Sequence, residues 1–146
     1  MSSAARAIII ENDKILVMHR NKHGSEYFTL VGGRVNNNES LEQAASREVR
    51  EETGLKITSS RLVFTEDHVA PYNAQFIFLC EVAPHQSVAI QDSSEEGLMN
   101  TIGINTHQPK WADISAFERL PFRTPQLQQA IIKALGKGFP KQPVRL

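Results

Sequence analysis

Three glutamates, Glu48, Glu51 and Glu52, lie in the run GRVNNNESLEQAASREVREETGL that spans residues 33–55. Wound as a helix at about 100° per residue, this run gathers Leu41, Ala44, Ala45 and Val49 on one side. Glu42, Gln43, Ser46, Arg47, Arg50 and Thr53 gather on the other. Glu48 and Glu52 fall in the middle of the apolar arc and Glu51 at its edge. An amphipathic helix ordinarily gives its carboxylates to water. On the face that meets the protein, like charges raise one another's pKa unless a cation holds them. Glu48 and Glu52 are i and i+4, one turn apart, and Glu51 flanks them. An all-oxygen cluster selects a hard divalent cation, Mg²⁺ first and Mn²⁺ second. Mg²⁺ keeps waters and takes substrate phosphates as ligands, which suits phosphoanhydride hydrolysis. With one cysteine and no helical histidine pair, the chain supplies no zinc site.

Several elements must position these carboxylates. RAIIIE (6–11) and KILVMHR (14–20) read as strands joined by a tight Asn12-Asp13 turn. YFTLV (27–31) reads as a short strand running into Gly32-Gly33, where the missing side chains let the backbone approach closely and offer a carbonyl to a metal. Ser40 and Gln43 form a capping box that starts the glutamate helix, and Gly54 ends it. Strands follow at about 61–69 and 75–83. A second helix starts at Thr124 and Pro125, carries Leu127, Ala130, Ile131, Ala134 and Leu135 at helical spacing, and stops at Gly136. The polar stretch 84–110, nearly without periodicity, predicts a long functional or mobile loop. The order strands, helix, strands, helix predicts an α+β chain with a mixed sheet between helices.

Length and composition narrow the classes. At 146 residues the chain is expected to form one domain, 1–146, with a buried core. Sixteen basic against sixteen acidic residues leave no net charge, so no bulk field points to nucleic acid or a membrane as partner. The aliphatic run Ala7–Ile10 is too short to span a bilayer. A lone cysteine, Cys80, excludes an internal disulfide framework and fits a reducing compartment, so a cytoplasmic location is expected.

The spacing Gly33, five residues, Glu39, seven residues, Arg47-Glu48-Val49, one residue, Glu51-Glu52, one residue, Gly54-Leu55 resembles a complete Nudix box. Outside the box, Tyr27 to Gly33 looks like the family's aromatic-x-x-Leu-Pro-Gly-Gly segment, with Val31 in place of the proline. Trp111-Ala-Asp-Ile followed by Leu120-Pro-Phe resembles the family's last strand and helix start. The resemblance implies a Nudix-like α/β/α sandwich and hydrolysis of a nucleoside diphosphate linked to another moiety. It implies Glu48 and Glu52 as core metal ligands, Glu51 as a further ligand or as the group orienting metal-bound water, and the Gly32 carbonyl as another ligand. It assigns Arg47 to lock the loop and helix together, with Glu39 as partner. It also implies a glutamate from a later loop as ligand or general base, for which Glu95 and Glu96 are the candidates. A homodimer is implied by analogy only.

Substrate contacts are expected from Arg20 at a strand end, which can equally be a solvated edge-strand charge, from Gly33, and from Trp111, a residue type that is more often a packing anchor than a stacking platform. Pro71 and Tyr72 stand side by side where the family carries markers for ADP-ribose and for dinucleoside polyphosphate hydrolases, so they favour neither. Without the added N-terminal domain usual in ADP-ribose enzymes, nucleoside triphosphates and nucleotide sugars lead. Two other readings are a non-catalytic nucleotide-binding module and an isoprenoid diphosphate isomerase. The module would usually have lost box glutamates. The isomerase needs a site cysteine, whereas Cys80 reads as strand core.

Overall fold

A computed structural model of the chain describes residues 2–85 and 105–146. In chain order it contains β1 (Ser3–Ile8), β2 (Ile10–Glu11), β3 (Lys14–Lys22), β4 (Ser25–Thr29), β5 (Val31–Arg34) and α1 (Leu41–Thr53). These are followed by β6 (Ile57–Asp67), β7 (Ala74–Val82), β8 (Asn105–Asp113), α2 (Ile114–Phe117), α3 (Pro125–Lys137) and β9 (Val144–Arg145). The strands form two sheets. One runs β5-β1-β7-β6-β9. It is mixed, because β1 pairs with β7 in parallel and with β5 antiparallel. The other is built on β3, with β8 along one edge and β2 and β4 sharing the other.

The α+β class and the mixed sheet are therefore as expected, and the helices lie on both sides. Alternation along β1 shows why. Ala5 and Ala7 join Leu16, Val31, Ala44, Ala45, Val49 and Phe78 in a core under α1. Ile8 points the other way, into a second core with Val17, Ile77, Phe117, Leu127 and Ile131 beneath α2 and α3. The small residues Ala44 and Ala45 on α1 face Ala5 and Ala7, which lets the helix sit close to the sheet.

Four expectations are corrected. The strand expected over 6–11 is interrupted at Ile9, with β1 in one sheet and β2 in the other. The strand expected over 27–31 is likewise two, β4 and β5, which change sheets at the buried Leu30. The second helix does not stop at Gly136 but continues to Lys137, where Gly138 at φ 96° donates its N–H to Ala134 O. Residues 105–110 belong to β8, paired along its whole length with β3 from Lys22↔Asn105 to Lys14↔Asp113.

Other local features are as read. Asn12 and Asp13 take positive φ in the turn from β2 to β3. Both capping-box hydrogen bonds between Ser40 and Gln43 are made, and Gly54 closes α1 in the left-handed region.

Candidate active site

The glutamate helix is fixed at both ends by its caps and along its length by the alanine face. That geometry carries Glu48 and Glu52 inward, where they are only 7% and 3% exposed. Glu52 Oε1 accepts the Gly32 N–H at 2.7 Å. Gly32 has φ +137°, and a Cβ there would stand 2.2 Å from the Ala5 carbonyl oxygen. Only glycine fits this approach of β5 to β1. Gly33 meets the other carboxylate: a Cβ on it would lie 2.7 Å from Glu48 Cδ.

Arg47 organises the remaining charges. Its Nε donates to Glu39 Oε2 at 2.7 Å and its Nη2 to Glu39 Oε1 at 3.0 Å, a bidentate grip. Nη1 reaches Glu48 Oε1 at 2.9 Å and Glu51 Oε2 at 3.4 Å, and Nη2 also donates to the Arg34 carbonyl at 2.8 Å. Glu39 Oε1 in turn accepts the Asn36 N–H, tying the loop before α1 to the helix. The Arg47 guanidinium holds the Glu39 carboxyl below its ordinary value, and Glu39 and Glu48 together raise the pKa of Arg47.

These groups open on a cleft of about 1140 Å³. Its lining includes Gly32, Gly33, Arg47, Glu48, Glu51 and Glu52 from the expected set, and Arg20 from the end of β3. Trp111 is not among the lining residues; it packs against the α1-side core and stacks on His85, 5.9 Å between ring centroids. The register explains this, since Trp111 pairs with Leu16, well below Arg20 on β3. Glu95 and Glu96 lie outside the described residues. Cys80 is buried in the α1-side core, and burial pushes its thiol up to about 12, so the arrangement an isomerase would need is absent from the described cleft.

Arg6, His107 and Arg123, which no local pattern marks, also line the cleft. Arg6, in the middle of β1, donates through Nη1 to the Leu30 and Gly32 carbonyls at 3.3 and 3.1 Å and lies 5.9 Å from the Tyr72 ring. Tyr27, Arg20 and His107 form a cross-strand row over β4, β3 and β8. Burial pushes His107 down to about 4, with Arg20 and Arg6 adding to the effect. Pro71, Tyr72 and Arg123 complete this part of the lining.

Whether the residues fit a metal is decided by chemistry and shape. Among the described residues no three His, Cys, Asp or Glu side chains already converge as a cage, because Arg47 draws Glu48 and Glu51 toward itself. The carboxylates that α1 presents to the cleft, Glu48, Glu51 and Glu52, are nonetheless hard oxygen donors. The space above Gly33 that any Cβ would fill is what admits the Glu48 carboxylate. The set fits a divalent cation of the Mg²⁺ type.

Comparison with known proteins agrees with this architecture. A model of the NUDIX domain matches residues 1–134. An NAD-capped RNA hydrolase, NudC, of Edwardsiella ictaluri is 35% identical over 75 residues, 51% of this chain and 29% of that protein. The chain thus matches less than a third of that relative's length. A Nudix hydrolase of Bacillus subtilis, YvcI, is 27% identical over 128 residues, 83% of this chain and 72% of the other. Among solved structures, a NUDIX hydrolase from Nitrosomonas europaea superposes with a TM-score of 0.69 at 23% identity, covering 96% of this chain and 93% of its own. The mixed sheet flanked by helices is a fold this chain shares with that NUDIX hydrolase. The chain belongs to the NUDIX domain family. The hydrolase names of these relatives agree with the expected pyrophosphohydrolase class. Nudix hydrolases act on small nucleotide substrates and generally use divalent metal ions. Among the described residues no helix is long and apolar enough to cross a membrane.

Proposed function

We propose that the chain, as one domain over 1–146, hydrolyses a diphosphate bond in a nucleoside diphosphate linked to another moiety, with Mg²⁺ as the metal and Mn²⁺ able to replace it. The observation that carries this is the burial of Glu48 and Glu52 side by side at the cleft, against a glycine pair shaped to receive them. Glu48, Glu51 and Glu52 would hold the metal, joined by the Gly32 carbonyl, which accepts from Arg6 in the structure. When bound, a divalent ion neutralises charge on phosphate oxygens and lowers the pKa of a water it carries.

The chain's own residues do the rest by positioning. The Gly32 N–H fixes one oxygen of Glu52, and Arg47 fixes one oxygen each of Glu48 and Glu51. Glu39 holds Arg47 in turn, so the carboxylates cannot drift. Arg20 and Gly33, in the lining, contact the substrate. Glu95 or Glu96 is the candidate general base.

A second reading draws on the name of the NudC relative, an NAD-capped RNA hydrolase. A dinucleotide cap contains the same class of bond, and the Tyr72 ring in the cleft lining is a surface on which a second base could stack. Replacing Glu52 by Gln keeps an oxygen to accept the Gly32 N–H while removing the charge. This variant is expected to keep its fold by circular dichroism and to lose kcat by orders of magnitude. Near-normal turnover would sink the assignment. Wild-type activity should vanish with a chelator and return with Mg²⁺ or Mn²⁺.

A further inference from the structure

The cleft carries cations beyond those that manage the glutamates. Arg20 and Arg123 both lie over the ring of Tyr27, with Cζ at 5.4 and 3.7 Å from its centroid. Arg123 precedes α3, is exposed, and its side chain has no hydrogen bond or ion pair among the described residues. Its backbone is held tightly all the same. Its N–H donates to the Phe28 carbonyl at 2.9 Å, and the Phe28 N–H donates to the Pro121 carbonyl at 2.9 Å. On the other side, the Thr124 hydroxyl donates to Glu66 Oε2 at 2.6 Å, while Glu66 Oε1 accepts from Gln75 at 2.8 Å. Glu66 and Gln75 are each 4% exposed, so this anchor is buried.

A guanidinium stacked on a ring uses its face and keeps its N–H edges, the part that matches a phosphate in bidentate fashion. Arg123 is therefore pre-organised, charged, and without a paired carboxylate among the described residues, inside a substrate cleft. The scissile diphosphate belongs with the glutamate helix. A neutral sugar as second moiety would offer the Arg123 guanidinium no anion, whereas one more phosphate would match it.

We infer that Arg123, stacked on Tyr27 beside Arg20, is a specificity-determining residue that holds an additional phosphate of the substrate and selects a nucleoside triphosphate over a nucleoside diphosphate sugar. The inference rests on the proposed reaction at α1 for its substrate class. The test compares pairs that share a nucleoside: ATP with ADP-glucose, GTP with GDP-mannose, UTP with UDP-glucose. In the wild type the triphosphate of the best pair is favoured in kcat/KM. Arg123→Ala lowers that value about tenfold or more, mainly through KM, and leaves the sugar within about threefold. Arg123→Lys recovers part of the loss. Equal losses on both members of a pair, or a preference for the sugar, overturn the inference. If no pair is hydrolysed but NAD is, the reaction stands with the dinucleotide reading; if NAD is not hydrolysed either, the reaction itself is misassigned. Equilibrium binding of inorganic tripolyphosphate then decides the subsite: weaker binding by Arg123→Ala supports it, and equal binding removes it.

Discussion

Gly33 and Glu48 face each other so closely that a methyl group on the glycine would sit 2.7 Å from the carboxylate carbon. Gly33→Ala therefore forces the Glu48 carboxylate off its position while the backbone, at an ordinary φ, is unstrained. The expected outcome is a folded protein with Mn²⁺ affinity and activity reduced by about 10- to 100-fold. Calorimetric titration with Mn²⁺ checks this, and wild-type affinity would contradict it.

Gly32→Ala should behave differently. The obstacle there is the Ala5 carbonyl oxygen at 2.2 Å, which is backbone and cannot swing aside. The positive φ adds strain. A loss of more than about 3 kcal/mol is expected, seen as a fall in the urea midpoint or as failure to accumulate folded protein.

The Arg47–Glu39 pair predicts an acid-side effect. Hydrogen bonding to Arg47 lowers the Glu39 pKa below 4.5. A depressed folded pKa means that the pair's stabilisation is present above the unfolded value and is lost as pH falls through the folded one. At pH 7, Glu39→Gln should be about 1 kcal/mol less stable than wild type, a modest figure because the pair is partly solvated. The gap should narrow as pH falls below 4.5 and through the lowered folded value in urea titrations. A gap independent of pH would show that the charge is not what Glu39 contributes.

His107 predicts a second pH effect, on a different window. Burial first, then Arg20 and Arg6, push it from 6.5 down to about 4. The unfolded chain thus binds a proton before the folded one does, and stability falls as pH drops from about 6.5 toward 4. The loss should be on the order of 2 kcal/mol. His107→Gln should flatten that decline. Imidazole resonances followed by NMR should show His107 neutral down to about pH 4.

Thr124 combines two bonds in one hydroxyl, donating to Glu66 and accepting the Leu127 N–H at 3.2 Å. Thr124→Val keeps the shape and loses both, leaving a buried carboxylate short of a donor. A cost of about 2 kcal/mol is expected, with Thr124→Ser restoring most of it in thermal unfolding.

The glutamate helix was legible from sequence because its information is local. Ser40, Gln43 and Gly54 announce the ends, and the inward turn of Glu48 and Glu52 follows from helical spacing alone. The strand changes at Ile9 and Leu30 were not legible. Both residues are apolar and buried, and nothing in their type records which of two sheets the next residue joins. Residues 105–110 misled for a related reason. Gln108, Pro109 and Lys110 carry little strand signal, and the pairing with β3 supplies the order from outside the segment. Pro109 is tolerated because β8 is an edge strand among the described residues. Arg6 and Arg123 escaped notice because their partners, Gly32 and Tyr27, are remote along the chain. Trp111 shows the converse: its type admits both a packing anchor and a stacking platform, and register places it beside Leu16, packed on the α1-side core and outside the cleft lining.

One residue, Leu30, carries the chain from β4 to β5 and so from one sheet to the other. Tyr27, on which the two arginines lie, stands just before that crossing, and the glycines that seat the glutamates stand just after it. With so little slack between them, the two halves of the cleft behave as marks on a single ruler. Evolution can exchange the side chains at either mark, and with them the substrate, but it cannot slide one mark along the scale without rebuilding both sheets.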